Sequence, residues 1–292
     1  MQNRGQSLHL MHNFTPLFRL IALPIYVAAM SGPLTASPLP LSDGEQMTFR
    51  VGWGIFVGAG EIIIDAKKES GMEKPRLRIT TTTQTRGFLK NFFPFTARSE
   101  AHYDMESGLL LHSEETSTSK RKDTNISLIF DYSNKSAQYD NIIEPERSQE
   151  LFVPEGNPMD LITSLVHTRT WNLKPGEKKN ALVVFGDDFY ELTIYAERYE
   201  TLNTPMGKFE TLVLVPRMEK TEPKGMFKRG STVRVWISQD ERQLPIRFEV
   251  EFKFGAGVAT LMKYKPPATK SVSLSTDPIP TGTINDATDT GS

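Results

Sequence analysis

The chain has 292 residues, no cysteine, 34 lysines and arginines against 35 aspartates and glutamates, and a formal net charge of -1. Without a charge surplus it is not built to hold nucleic acid or another polyanion, and without cysteine it has neither disulfides nor thiolate metal sites nor the acylated cysteine of a lipoprotein. Hydrophobic residues at 38%, with aromatics at 10%, suffice for a core, and the length admits one large all-β domain or two smaller ones.

The first 36 residues stand apart. Arg4, His9, His12 and Arg19 precede an apolar run, Leu20 to Met30, followed by small residues and proline in SGPLTAS. A basic segment, a short apolar core and small residues after it predict a secretory signal peptide, cleaved after Ala36 or, as an alternative, after Ser31. Eleven residues are too few to span a bilayer as a helix. No second long apolar run follows, so no transmembrane segment is expected in the mature chain, which is predicted to be periplasmic or secreted. Residues 37–45 read as a linker, 46–265 as a single antiparallel β domain and 266–292, almost without apolar residues, as a disordered tail.

From Gln46 to Val57 the apolar Phe49, Val51, Trp53, Ile55 and Val57 alternate with Arg50, Gly52 and Gly54, the period of a strand. Glycines on one face let a ring or a second backbone approach closely, either at a barrel corner or at a ligand. Gly58-Ala59-Gly60 is expected to turn the chain into a strand over Glu61 to Lys68. Arg76 to Thr85 alternates again, and its threonines favour a strand.

The segment RGFLKNFFPF, Arg86 to Phe95, is too irregular for a strand and reads as a loop or a single helical turn. Its phenylalanines form either a plug closing one end of the core, the preferred reading, or an exposed lip that meets acyl chains or a partner.

Phe95 to Thr118 reads as a hairpin around a three-residue loop, Glu106-Ser107-Gly108, with glycine in the left-handed position. That register sets Tyr103 opposite Leu111 and Ala101 opposite Ser113 on the dry face. On the other face it pairs His102 with His112 and Glu100 with Glu114, with Asp104 nearby. Such a cluster has the donors for zinc or proton transfer, but a solvated charged ladder on the outer face of a sheet explains the same residues.

Asn125 to Tyr132 and Ser136 to Tyr139 continue the strands, and Ile143 to Gly156 is polar and irregular. Asn157 to Trp171 then changes period. Asn157 can cap, Pro158 suits the first turn and Leu161, Ile162, Leu165 and Val166 recur at helical spacing, so a helix near 158–170 is predicted. His167 and Arg169 fall near its C-terminus, where cations are favoured in any case.

Strands are predicted over Ala181 to Phe185, Phe189 to Arg198 and Phe209 to Met218, with turns at Gly186-Asp187-Asp188 and Thr204-Pro205-Met206-Gly207. Glu222 to Ser231 is a long basic loop. Val233, Val235 and Ile237 alternate with Arg234, Trp236 and Ser238, as do Ile246, Phe248, Val250, Phe252 and Phe254 with Arg247, Glu249, Glu251 and Lys253. Between them SQDERQ closes a hairpin, and after Gly255 and Gly257 the chain returns as Val258 to Tyr264. The fold class that follows is mainly β, a strongly curved, barrel-like or rolled antiparallel sheet with one helix.

The opening strand FRVGWGIFVGAGEIIID, the helix DLITSLVHTR, the segment TPMGKFETL and the run VRVWISQDERQLPIRFE with its following glycine pair carry a resemblance. Together they resemble a bacterial family of exported proteins, the domain-of-unknown-function 3108 family, over about Phe49 to Tyr264. The resemblance implies an antiparallel β fold outside the cytoplasm and supplies no activity and no site residues.

By function the expectation is a non-enzymatic cell-envelope protein that binds a lipid, glycolipid or other apolar ligand, or an envelope protein partner, because a curved sheet of this size either fills its interior or leaves a cavity. Arg50, Gly52, Trp53, Gly54, Phe88, Phe92, Phe93 and Trp236 are the candidate wall and rim. The rivals are a hydrolase of envelope polymers acting through Glu100, His102, Asp104, His112 and Glu114, for which no GxSxG or HExxH motif is present, and a filled scaffold with only protein partners. Neither a cofactor nor a metal is predicted.

Overall fold

Alternation of apolar and polar side chains becomes, in the computed structural model, one continuous sheet. The structure describes residues 38–267 apart from 72, 224, 228–230 and 254, so the expected signal peptide, nearly all of the expected tail and Phe254 lie outside the described residues. The first eight strands are β1 (Gln46–Trp53), β2 (Phe56–Glu69), β3 (Arg76–Thr85), β4 (Phe95–Asp104), β5 (Leu110–Ser119), β6 (Thr124–Asp131), β7 (Ser136–Asn141) and β8 (Gln149–Phe152). The rest are β9 (Met159–Asp160), β10 (Lys178–Phe185), β11 (Asp188–Thr204), β12 (Gly207–Arg217), β13 (Thr232–Ser238), β14 (Pro245–Phe252) and β15 (Gly255–Lys265). Two short helices, α1 (Leu89–Phe92) and α2 (Leu161–His167), interrupt them.

The strand order runs from β8 down to β1, crosses to β15 and continues down to β9. Every pairing is antiparallel except the two-residue contact of β9 with β10. The two edges of the sheet, β8 and β9, are therefore neighbours in sequence, and the sheet curls until they approach each other. Phe130 of β6 meets Phe189 of β11 edge-on at 6.3 Å, Arg147 lies 3.9 Å from Asp187, and the Asn157 Nδ2 donates to the Gly108 carbonyl. The fold is thus curved and barrel-like without closing its hydrogen-bonded ladder.

One end of the curl is solid. Met47, Phe49, Ile64, Leu77, Ile79, Tyr103, Leu110, Ile246 and Leu261 are fully buried in a common cluster, each worth roughly 1.5–3 kcal/mol on leaving water. α2 lies in the hollow, with Val166 in this cluster and Leu165 in a second one with Val183, Leu192, Ile194, Leu214 and Val235 of β10 to β13. The alternation of β14 is seen in space: Phe248 packs on Phe49 at 5.2 Å, while Glu249 pairs with Arg234 and Arg247.

Several local expectations are corrected. The first hairpin turns at Gly54-Ile55, where Trp53 pairs with Phe56 and Gly54 has φ +54°, a left-handed position that suits glycine. Gly58 to Gly60 belong instead to β2, whose surplus residues Val57 to Ala59 form a bulge opposite Gly52. Gly60 is required there because a Cβ would come within 2.8 Å of the Gln84 carbonyl. The β4–β5 loop spans Met105–Gly108, organised by Asp104 Oδ1, which accepts from the amides of Glu106 and Ser107. Tyr103 consequently faces Leu110, and a bulge at Leu111 restores the expected pairing of His102 with His112. The helix begins at Leu161 because Asp160 is its N-cap, accepting from the Thr163 amide; Asn157 is spent on Gly108. β8 was not expected at all.

The stretch read as a linker is tied to the domain. Leu41 and Glu45 are buried. Glu45 Oε1 accepts from Arg169 Nη1 at 2.6 Å and from the Tyr264 hydroxyl at 3.0 Å, and Arg169 also donates to the carbonyls of Arg242 and Gln243. One buried ion pair thus joins the first residues of the domain, the segment after α2, the β13–β14 loop and the last strand.

Candidate functional site

At the other end the curl stays open. Trp53 ends β1 with its indole laid over β15, where a Cβ on Gly257 would stand 3.1 Å from the ring and one on Gly255 3.9 Å away. Phe252 packs against it with ring centroids 5.6 Å apart. Facing this wall, α1 and the turn after it are held by the Thr85 hydroxyl, which donates to the carbonyls of Phe93 and Phe95 and accepts from the Phe95 amide. The loop is tied to the bulge by a hydrogen bond from the Arg86 amide to the Ala59 carbonyl. Between the two walls is an apolar cavity of about 570 Å³ lined by Val51, Trp53, Phe56, Ala59, Gly60, Leu89, Phe93 and Phe95, with Thr83 to Thr85 as its floor. That volume lies within the range of small-molecule sites.

The Phe88 to Phe95 segment is therefore a lip and not a plug. Phe88 is 68% exposed and Phe93 69%, with Ile55 at 89% and Val57 at 81% on the hairpin opposite. Phe88 and Phe92 pack on each other with ring centroids 4.7 Å apart, tilted by 47°.

Thr83 also lines a second cavity of about 210 Å³ deeper in the hollow, between β3 to β6 and the start of α2. Its walls carry the hydroxyls of Thr81, Ser99 and Ser113 and the carboxyls of Glu115 and Asp160. Asp160 is partly buried at the cavity wall, and desolvation pushes its carboxyl above the usual carboxylate range against the opposing hydrogen bond from Thr163. The Tyr103 hydroxyl, 3.5 Å from Asp160 Oδ2, is likewise raised by burial. Burial raises Glu115 too, assisted by the charge of Asp160. A carboxyl whose pKa rises on folding holds its proton longer in the folded state, so its ionisation costs stability as pH climbs from about 4.3 through the folded value. Glu115→Gln is expected to melt higher than the parent at neutral pH, with the difference vanishing near pH 4; thermal scans across that window check it.

A family model for proteins of unknown function, DUF3108, matches residues 48–262. The chain belongs to the DUF3108 family. No curated protein matches the chain in sequence. Among solved structures it is similar to a β-barrel-like protein of the domain of unknown function DUF1849 from Brucella abortus, at 5% identity and a TM-score of 0.49 over 78% of this chain and 98% of that one. A protein from Bacteroides fragilis predicted to be exported, with a YmcC-like fold, matches at 10% identity and a TM-score of 0.34 over 79% and 99% of the two chains. A protein from Parabacteroides distasonis predicted to be a lipoprotein matches at 10% and 0.30 over 78% and 99%.

Of the wall and rim residues expected in this DUF3108 protein, the structure brings Trp53, Phe88, Phe92 and Phe93 to the open end, with Gly54 in the turn beside them. Gly52 faces the Phe56 carbonyl, which would sit 3.4 Å from a Cβ, and Arg50 is exposed. Trp236 lies elsewhere: it is buried, opposite Val213 in the sheet, under the Arg247 guanidinium 5.0 Å above its ring. Val51, Leu89 and Phe95, inside the two stretches expected as wall and rim, line the cavity, while Phe56, Ala59, Gly60, Thr83, Gln84 and Thr85 were missed as wall residues. The glycine pair after β14 was visible in the sequence and is what seats the Trp53 ring.

The second candidate cluster in the DUF3108 chain is assembled but divided. His102 and His112 stack at 5.4 Å, yet His102 Nδ1 is engaged by Glu69 at 3.1 Å and His112 Nε2 by the Ser127 hydroxyl at 3.1 Å. Glu100 pairs with Arg98, Glu114 is 3.4 Å from His112, and Asp104 is used by its turn. Burial lowers the His112 pKa against the charge of Glu114 and so favours the neutral ring. No group of three or more His, Asp or Glu side chains able to hold a metal converges among the described residues. His167 is neutral, lowered by burial to about 4, with Nε2 buried and unpartnered and its ring edge-on to Trp171.

Proposed function

We propose that this protein binds one amphipathic molecule at the open end of its curled sheet, chain in the apolar mouth and polar end toward Thr83, Ser99 and Glu115, and that it does so outside the cytoplasm. The observation that carries this reading is the 570 Å³ mouth, whose lining exposes apolar surface alone to solvent between two hydrogen-bonded walls. Ten methylenes moved there from water supply on the order of 8 kcal/mol before ordering costs, enough for a working affinity. The carboxyl of Glu115 favours an uncharged or cationic polar end over a phosphate or carboxylate, since a second anion in that hollow would meet Asp160 as well. Lipids and glycolipids with hydroxyl-bearing ends fit both conditions. The basic and apolar pattern of residues 1–36 supports secretion, and no helix among the described residues is long and apolar enough to cross a membrane.

Native mass spectrometry of the protein purified in mild detergent tests the reading. The expected spectrum shows one added apolar mass per chain, released by organic solvent. A folded protein that carries nothing and takes up no long-chain alcohol on titration would overturn it.

A further inference from the structure

We propose that the aromatic rim around the mouth docks on the surface of a lipid bilayer containing anionic phospholipid. The inference goes beyond ligand binding, and it stands on exposure and charge at the two loops. Ile55 in the first hairpin turn and Val57 in the bulge beside it, and Phe88 and Phe93 around α1, present their side chains to solvent at the same end of the sheet, flanking one cavity. A cluster of that kind on a folded surface marks a contact with protein or membrane.

Two features select the membrane. The first is charge: residues 50–61 and 84–97, which carry the whole rim, contain three cations, Arg50, Arg86 and Lys90, against the single acid Glu61. Glu61 is taken by Arg86 at 2.5 Å, leaving Arg50 and Lys90 without an ion pair among the described residues. Lys90 belongs to α1, beside Phe88 and Phe92, the arrangement of a basic and aromatic interfacial anchor. The second is chemistry: the rim offers rings and aliphatic tips with almost no hydrogen-bonding side chains, which suits an acyl boundary better than a protein surface with polar groups to satisfy. Docked in this way, the mouth opens into the acyl layer, and an amphiphile passes between bilayer and cavity without crossing water.

Co-sedimentation of the full chain with vesicles tests this. Phosphatidylcholine vesicles are compared with vesicles containing phosphatidylglycerol. Two uncompensated cations predict about thirtyfold stronger binding to the anionic vesicles, lost at high salt. Ile55→Asp with Phe88→Asp is expected to reduce binding at least tenfold; neither residue lines the cavity, and the N-terminal segment is the same in every variant. Thr83→Trp, which closes the hollow, is expected to leave vesicle binding unchanged, so failure of the ligand reading and failure of docking are separable. Equal binding to both vesicle types, or no loss in the double variant, overturns the proposal. So does a wild-type dimer that dissociates in that variant and ignores vesicles, which would make the rim a surface between two copies.

Discussion

Replacing Arg169 by methionine is expected to lower the unfolding free energy by about 3–5 kcal/mol, the usual cost of stranding one member of a buried ion pair. The side chains of Arg169 and Glu45 are 13% and 3% exposed, so water cannot replace the lost partner. The guanidinium also satisfies two carbonyls of the β13–β14 loop, which become orphans in the variant. For a domain of this length the loss corresponds to roughly 10 °C in Tm. Glu45→Gln in the Arg169→Met background is expected to recover a substantial part, because it removes the stranded charge while keeping an acceptor for Tyr264. Urea unfolding of the four-member cycle measures the coupling. A loss below about 1 kcal/mol in the single variant would mean that the pair is a surface pair in solution.

Thr83→Trp is expected to reduce affinity for a long-chain alcohol at least tenfold, about 1.4 kcal/mol, and to remove the copurifying mass. Thr83 faces both the 570 Å³ mouth and the 210 Å³ inner hollow, and an indole there occupies the passage between them. Because the space is already empty, the overpacking cost is expected at the low end of 1–3 kcal/mol, and circular dichroism verifies that the sheet persists. Thr83→Ala keeps the passage open and is expected to lose no more than the one hydrogen bond of its hydroxyl, about 1 kcal/mol. Unchanged affinity in the tryptophan variant would place the ligand elsewhere.

Much of the fold was legible because strand period survives in any environment: β13 and β14 read correctly from alternation, and β15 was expected as the returning strand, although Gly255 and Gly257 belong to it and do not break the run. What failed did so where a few residues decide. The sequence offers Gly54-Ile55 and Gly58-Ala59-Gly60 as rival turns, and only pairing with β3, which needs a bare Gly60 against the Gln84 carbonyl, chooses between them. β8 is short, with a polar start, and is held by its pairing with β7 and not by its composition. In the site, Trp53 and the phenylalanines announced themselves as bulky apolar groups beside glycine. Ala59, Thr83 and Thr85 did not, since residues on the inner face of a strand look the same whether the space before them is filled or empty. Trp236 illustrates the converse: an aromatic in a strand, taken for a wall, that is covered by Val213 and Arg247.

Quenching of Trp53 by a long-chain alcohol brominated along its chain tests the mouth as a ligand site most directly. Of the protein's three tryptophans, only Trp53 lines the cavity. Saturable quenching with one site per chain that disappears in Trp53→Phe is the predicted result. Quenching that persists unchanged in Trp53→Phe, or a folded protein whose fluorescence ignores the brominated chain, would contradict it.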